Sequence, residues 1–203
     1  MNKSAGLTVL ETIIVVGISM MMLTGLLRLL VIGYPLQKAT YLQQRSTESA
    51  RLQLKRISKS IREAKLADTG AYALVEMSPQ RMIFYSDVDA DATTERIRYE
   101  LVGTDLVRGV TEPSGDPLVY DVANDEVATV VTGNVRNGAT DIFTYYSGDY
   151  PADQTPLTPV DLTEVKYVQF YLLIDADPAI DPPAIEVRSQ VQLRNLKTNL
   201  GET

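Results

Sequence analysis

The chain has 203 residues, 45% of them hydrophobic, enough for one domain plus an appended element and too few for two comfortable cores. It contains no Cys and no His, which excludes disulfides, thiolate nucleophiles, Cys/His zinc sites and histidine-based acid–base catalysis. Charge is segregated: residues 1–66 hold ten Lys/Arg and three Glu, a net +7, and residues 67–203 hold nine Lys/Arg and 23 Asp/Glu, a net −14, together the −7 of the whole chain.

Met1–Gly6 is a short polar leader with one cation, Lys3, and the apolar run starts directly at Leu7. A secretory signal places its small-residue cleavage site after the apolar stretch; here Ser4-Ala5-Gly6 precede it, so a cut there leaves the greasy helix on the mature protein. Glu11 interrupts the run Leu7–Val16. A carboxylate inside a membrane span costs roughly 2.5–3.5 kcal/mol and implies a partner. If the chain is cut after Gly6, Leu7 acquires a charged α-amino group in the same surroundings. Glu11 of one subunit then neutralises the Leu7 amine of its neighbour, a buried pair that fixes register more than it adds stability.

Gly6-Leu7-Thr8-Val9-Leu10-Glu11 resembles the prepilin processing motif of type IV pilins and type II secretion pseudopilins, with Leu7 where Phe is usual. The resemblance implies cleavage between Gly6 and Leu7 by a prepilin peptidase and N-methylation of Leu7. It also implies assembly through the helix with other pilin subunits on a pilus or secretion platform, after a stage in the lipid bilayer.

Leu7–Ile32 is long enough to cross about 30 Å of hydrocarbon at 1.5 Å per residue. Lys3 favours a cytoplasmic N-terminus with the head exported, whereas the basic stem beyond Arg28 opposes that orientation; the processing motif decides for export. The expected localisation is therefore the cytoplasmic membrane, single-pass, and then the pilus or pseudopilus at the cell surface. Gly17, Ser19, Thr24, Gly25 and Gly33 allow close helix approach. Gly33 and Pro35 predict a kink. The segments expected are a leader 1–6, a membrane and assembly helix 7–34, and an amphipathic helix 35–67, with the head at 68–203. Ala50, Leu54, Ile57, Ile61 and Ala64 form its apolar stripe, the other faces carry the cations of the basic stem, and Asp68-Thr69-Gly70 supplies the stop.

Beyond Gly70 the pattern alternates. Met82–Ser86, Arg96–Val102 and Asp105–Arg108 predict a three-stranded meander turning at Asp87–Thr94 and Gly103-Thr104. Further strands are expected at Ala128–Val131, Asp141–Tyr146, Val165–Ile174 and Ile185–Leu193. The last resembles the closing strand of minor pilins and pseudopilins of the J/W type. The fold class expected is α+β, type IV pilin-like: a long N-terminal helix whose second half packs on one antiparallel sheet.

Chemistry in the head is sparse. Asp68-Thr69-Gly70 matches the aspartic-protease tripeptide, but only one copy is present and that site needs two carboxylates. Asp87-Val88-Asp89-Ala90-Asp91 has the alternation of a calcium loop, yet Ala92 and Arg98 stand where an EF-hand has Gly and Glu; these carboxylates, like Asp175, Asp177 and Asp181, read first as solvated loops. Phe143, Tyr145, Tyr146 and Tyr150 suggest a sticky surface, with alternation making one of Tyr145 and Tyr146 core and the other exposed. So acidic a head is not expected to bind nucleic acid, although the basic stem of one copy could attract the head of another, or anionic lipid. No enzyme and no cofactor is expected. The function predicted is a structural subunit of a type IV pilus or secretion-like filament, a minor pilin or pseudopilin by the resemblance of its head; the alternative is a single-pass anchored adhesin or binding protein that does not assemble.

Overall fold

A computed structural model describes residues 8–89, 91, 93–175 and 184–196; within its long helix, side chains are described at 8–32, 41, 44, 47, 48 and from 51 onward. The chain divides into two units, Met1–Gln43 and Gln44–Thr203. Helix α1, Val9–Arg62, contributes to both. Its helical hydrogen-bonding pattern runs without interruption through Gly33 and Pro35, where the sequence predicts a kink.

The second unit begins with the last turns of α1. Leu54, Ile57, Ile61 and Ala64 are all buried, at 3% exposure or less, as their spacing predicted; the side chain of Ala50 lies outside the described residues. The helix stops five residues before the expected point. Ala64 N–H bonds Ile61 O at 3.1 Å and Lys65 N–H turns to Tyr85 O at 3.0 Å, so the chain leaves the helix to join a strand. Lys59 and Arg62 in the last turn complement the helix dipole. Asp68-Thr69-Gly70 is therefore a separate turn, closed by Gly70 N–H to Ala67 O at 2.8 Å, and the φ of +82° at Gly70 needs a residue without Cβ.

The expected single sheet is two. Strands β1 (Leu74–Met77), β2 (Arg81–Ser86), β3 (Glu95–Val102), β4 (Asp105–Thr111) and β5 (Val127–Thr132) form an antiparallel meander in chain order. Strands β6 (Phe143–Tyr146), β7 (Tyr167–Ile174) and β8 (Ile185–Gln192) form the second sheet, also antiparallel. β1 and the short helix α2 (Val122–Asp125) were not anticipated. Val102 pairs with Asp105, leaving Gly103-Thr104 as a two-residue hairpin turn with Gly103 at φ +64°, the conformation such turns demand.

One core joins these elements. The α1 stripe, Met82, Phe84, Ile97, Tyr99 and Leu106 from the first sheet, and Phe143, Phe170, Leu172, Val187 and Val191 from the second belong to a single buried cluster. β8 alternates as predicted, with Val187 and Val191 buried and Glu186, Arg188 and Gln190 exposed. Its Ser189 hydroxyl meets that of Ser58 on α1 at 3.2 Å. The aromatic cluster is not a sticky surface: Phe143 and Tyr145 are core residues, and Tyr146 is only 8% exposed. Tyr150 folds back over Tyr146 at 4.7 Å and also meets Tyr167 at 5.2 Å, covering the outer face that alternation alone leaves open.

Candidate functional site

Gly6 and Leu7, the expected processing and methylation residues, lie outside the described residues. Thr8 precedes the first helical residue, and its Oγ1 accepts the Glu11 backbone N–H at 3.4 Å. This is one half of a capping box, a local role for Thr8 that the pilin-like motif had obscured; Ser/Thr followed three residues later by Glu was its signal. The Glu11 carboxylate does not complete the box. It is exposed and makes no hydrogen bond or ion pair among the described residues.

The helix around it is bare. Val9–Ile32 has a mean hydropathy of 2.2 and none of it is buried. Its large apolar side chains range from 47% exposed at Val16 to 81% at Met21, so among the described residues nothing covers any side of this segment. Its hydroxyls are satisfied internally: Thr12 donates to Thr8 O at 3.2 Å, Ser19 to Val15 O at 2.7 Å, and Thr24 to Met20 O. That pattern suits a helix surface without water. Gly17 and Gly25 face open space, with nothing within 4 Å of a Cβ built there.

The β2–β3 tip is the second concentration of charge. Asp87, Asp89 and Asp91 come together with Glu95, their ligand-type oxygens all within 4.8 Å of one another. Arg98 at the expected twelfth position is elsewhere: it clasps Glu126 through Nε and Nη2 at 2.9 and 2.8 Å and also pairs with Glu100. The fourth carboxylate, Glu95, was missed, although it alternates with Ile97 and Tyr99 and must share their inward face. Glu95 is fully buried, accepts Val88 N–H at 2.7 Å and the Thr93 hydroxyl at 3.2 Å, and its pKa is raised chiefly by burial. Glu112 nearby is raised by burial and by Asp89 and Asp91. Asp91 is lowered, first by the Thr93 hydroxyl bond, and Lys65 pairs with Asp87 at 3.4 Å. The carboxylates are of the kind that holds hard cations, and their nearest donors are the chain's own.

Asp68 also has a role that the sequence did not signal. Its carboxylate takes both the backbone N–H and the hydroxyl of Thr94 at 2.8 Å, and the Tyr120 hydroxyl donates to Thr94 O at 2.6 Å. The tripeptide thus pins the base of the β2–β3 hairpin. Of the other acidic loop, Asp175 pairs with Arg136 at 3.5 Å; Asp177 and Asp181 lie outside the described residues.

Fold and site together define an α+β protein in which one N-terminal helix is long and apolar enough to cross a membrane. No family model and no curated protein matches the chain. Among solved structures it is similar to a chain in the binary complex of two pseudopilins from the Type 2 Secretion System of Vibrio vulnificus. That match covers 76% of this chain and 94% of the other, at 10% sequence identity and a TM-score of 0.49.

Proposed function

We propose that the chain is a pilin-like structural subunit, held in the cytoplasmic membrane by α1 before assembly and packed through the same helix into a type IV pilus or secretion-type filament. The observation that carries this reading is a helix exposed on every side over Val9–Ile32 that keeps near its start a carboxylate, Glu11, with no partner among the described residues. A surface so apolar demands lipid or other helices. The carboxylate demands a cation, and the resemblance of Gly6–Glu11 to the prepilin motif supplies one in the α-amino group of a processed Leu7. Lipid before assembly and neighbouring helices afterwards meet both demands. A catalytic role has no support, since the chain lacks His and Cys.

Mass spectrometry of the mature N-terminus tests the reading. A peptide beginning with methylated Leu7 is the expected result, and a protein retaining Met1 would make the chain a lone anchored binding protein instead. Glu11→Ala is expected to leave processing intact while incorporation into sheared surface filaments falls; unchanged incorporation would remove the charge pair from the account.

A further inference from the structure

The buried stripe of α1 is flanked on both sides by clefts. On one side Arg51, Lys55, Ser58 and Arg62 face residues 187–190 of β8 across a cleft of about 270 Å³. On the other, Arg56, Lys59, Ser60 and Glu63 face Val88, Tyr99 and Arg108 across about 320 Å³. The first cleft is the more one-sided electrically. Four cations line it, Arg188 being the fourth, and no carboxylate does among the described residues. Arg188 is engaged by Glu186 at 3.2 Å and stacks on Tyr171 at 4.9 Å, but Arg51, Lys55 and Arg62 are exposed and make no ion pair or hydrogen bond among the described residues. Like charges four apart on a helix are mildly destabilising, so this row has a cost that the fold of one copy does not recover.

The opposite charge stands on the other flank. The β2–β3 tip carries exposed Asp89 and Asp91, with Asp87, Glu95 and Glu112 behind them, and its Val88 lines the second cleft rather than the first. A single copy therefore presents an acidic projection on one side of α1 and a cationic groove on the other. Two different patches that complement each other make a heterologous contact, which repeats into an open array rather than closing on a pair.

We infer that the groove between α1 and β8 is the docking site for the acidic β2–β3 tip of a second copy of this chain, with Arg51, Lys55, Arg62 and Arg188 receiving Asp89 and Asp91. The inference deepens the filament reading and rests on it for the choice of partner. Complementary charge of this kind fixes register and excludes wrong neighbours. β8 is the outer strand of its sheet, so no further described strand obstructs the approach.

The absence of cysteine makes site-directed cross-linking clean. Full-length Gln190→Cys and Asp91→Cys chains with different tags are co-expressed in membranes and oxidised. A mixed disulfide dimer is expected when both are present, and none when either is alone. Lys55→Glu with Arg188→Glu in the Gln190→Cys copy is expected to lower the yield roughly tenfold, as is Asp89→Lys in the Asp91→Cys copy, and combining the two reversals to restore it. Restoration could not come from a misfolded head. The inference is overturned if no mixed dimer forms, if charge reversal leaves the yield unchanged, or if Thr129→Cys on β5 replaces Asp91→Cys with equal yield. It is overturned equally if cross-links are absent and the groove reversal instead abolishes flotation with phosphatidylglycerol vesicles, which would make the groove a lipid-facing surface. The N-terminus of the same sample separates the two readings. Processed Leu7 without cross-links removes only the docking groove, whereas intact Met1 with cross-links keeps the contact and removes the filament.

Discussion

Gly109 on β4 gives a sharp test of how the outer face of the first sheet is held. It pairs with Arg98 on β3 and Ala128 on β5, and the Glu126 carboxylate lies directly over it. A Cβ at this position would stand 2.3 Å from Glu126 Oε1 and 2.6 Å from its Cδ, so Gly109→Ala must push the carboxylate aside. The carboxylate is not free to move, because Arg98 grips both its oxygens at 2.9 and 2.8 Å with the two side chains only 12% and 14% exposed. Losing that grip costs about 1.5–3 kcal/mol, the range of a hydrogen bond to a charged group. The stiffer unfolded chain returns about 0.4–1 kcal/mol. The net loss is about 1–2 kcal/mol, or a fall in Tm of roughly 3–6 °C for a unit of this size, read by thermal denaturation of the full chain in detergent. Glu126 has a lowered pKa, first because of its Arg98 hydrogen bond. Its contribution is therefore present above the ordinary carboxylate pKa and lost as pH falls through the folded value, so the deficit of Gly109→Ala is full at neutrality and shrinks in acid. In a Glu126→Ala background the same glycine substitution is expected to cost nothing. An equal cost in both backgrounds would refute the steric argument.

Three further outcomes follow from the head. Glu95 has a raised pKa because it is buried; its stabilising contribution is complete below the unfolded carboxyl pKa of about 4.3 and is lost as pH rises through the folded value. The Tm of Glu95→Gln relative to wild type is therefore expected to be more favourable at neutral pH than in acid, and a pH-independent difference would contradict it. Ile57→Ala, at a site 1% exposed under both sheets, is expected to destabilise by about 2–5 kcal/mol in denaturant melts; a loss below about 1 kcal/mol would mean that α1 does not anchor the head. Calcium at about 1 mM, the range of weak extracellular sites, is expected to leave Tm unchanged because the tip's carboxylates already have internal donors. A rise of several degrees that Asp89→Asn abolishes would make the tip a cation site.

What the sequence disclosed and what it withheld divide by the range of the interactions involved. The apolar run, Glu11 within it and the stripe Leu54, Ile57, Ile61, Ala64 are local patterns, and each reads directly because helix period and hydropathy need no knowledge of the rest of the fold. The meander β2–β4 reads for the same reason. β1 is only Leu74-Val75-Glu76-Met77, too short for alternation to declare itself. The division into two sheets depends on distant bonds, such as Ile142 and Phe143 N–H to Pro79 O at 3.0 Å, which no window of sequence contains. Alternation leaves one of Tyr145 and Tyr146 exposed; both are buried because Tyr150 returns from a loop to cover Tyr146. Glu95 was the avoidable omission: one step of strand alternation from Ile97 turns it inward, beneath the aspartates.

The cations of α1 show how far local reading carries and where tertiary structure takes over. In sequence, Arg51, Lys55, Arg56, Lys59 and Arg62 are one solvated basic face, equivalent members of a helix surface. The fold makes them unequal, because the stripe they border is pressed between two different sheets. The first sheet brings Val88, Tyr99 and Arg108 toward Arg56 and Lys59, with Glu63 of the helix beside them; the second brings Arg188 toward Arg51, Lys55 and Arg62. One flank thus holds a carboxylate, Glu63, among its cations, and the other holds cations alone among the described residues. The same helical period that buries Ile57 and Ile61 sets these two rows on opposite sides of the stripe. An amphipathic helix with an ordinary charged face becomes, once two sheets close on it, a subunit with a direction.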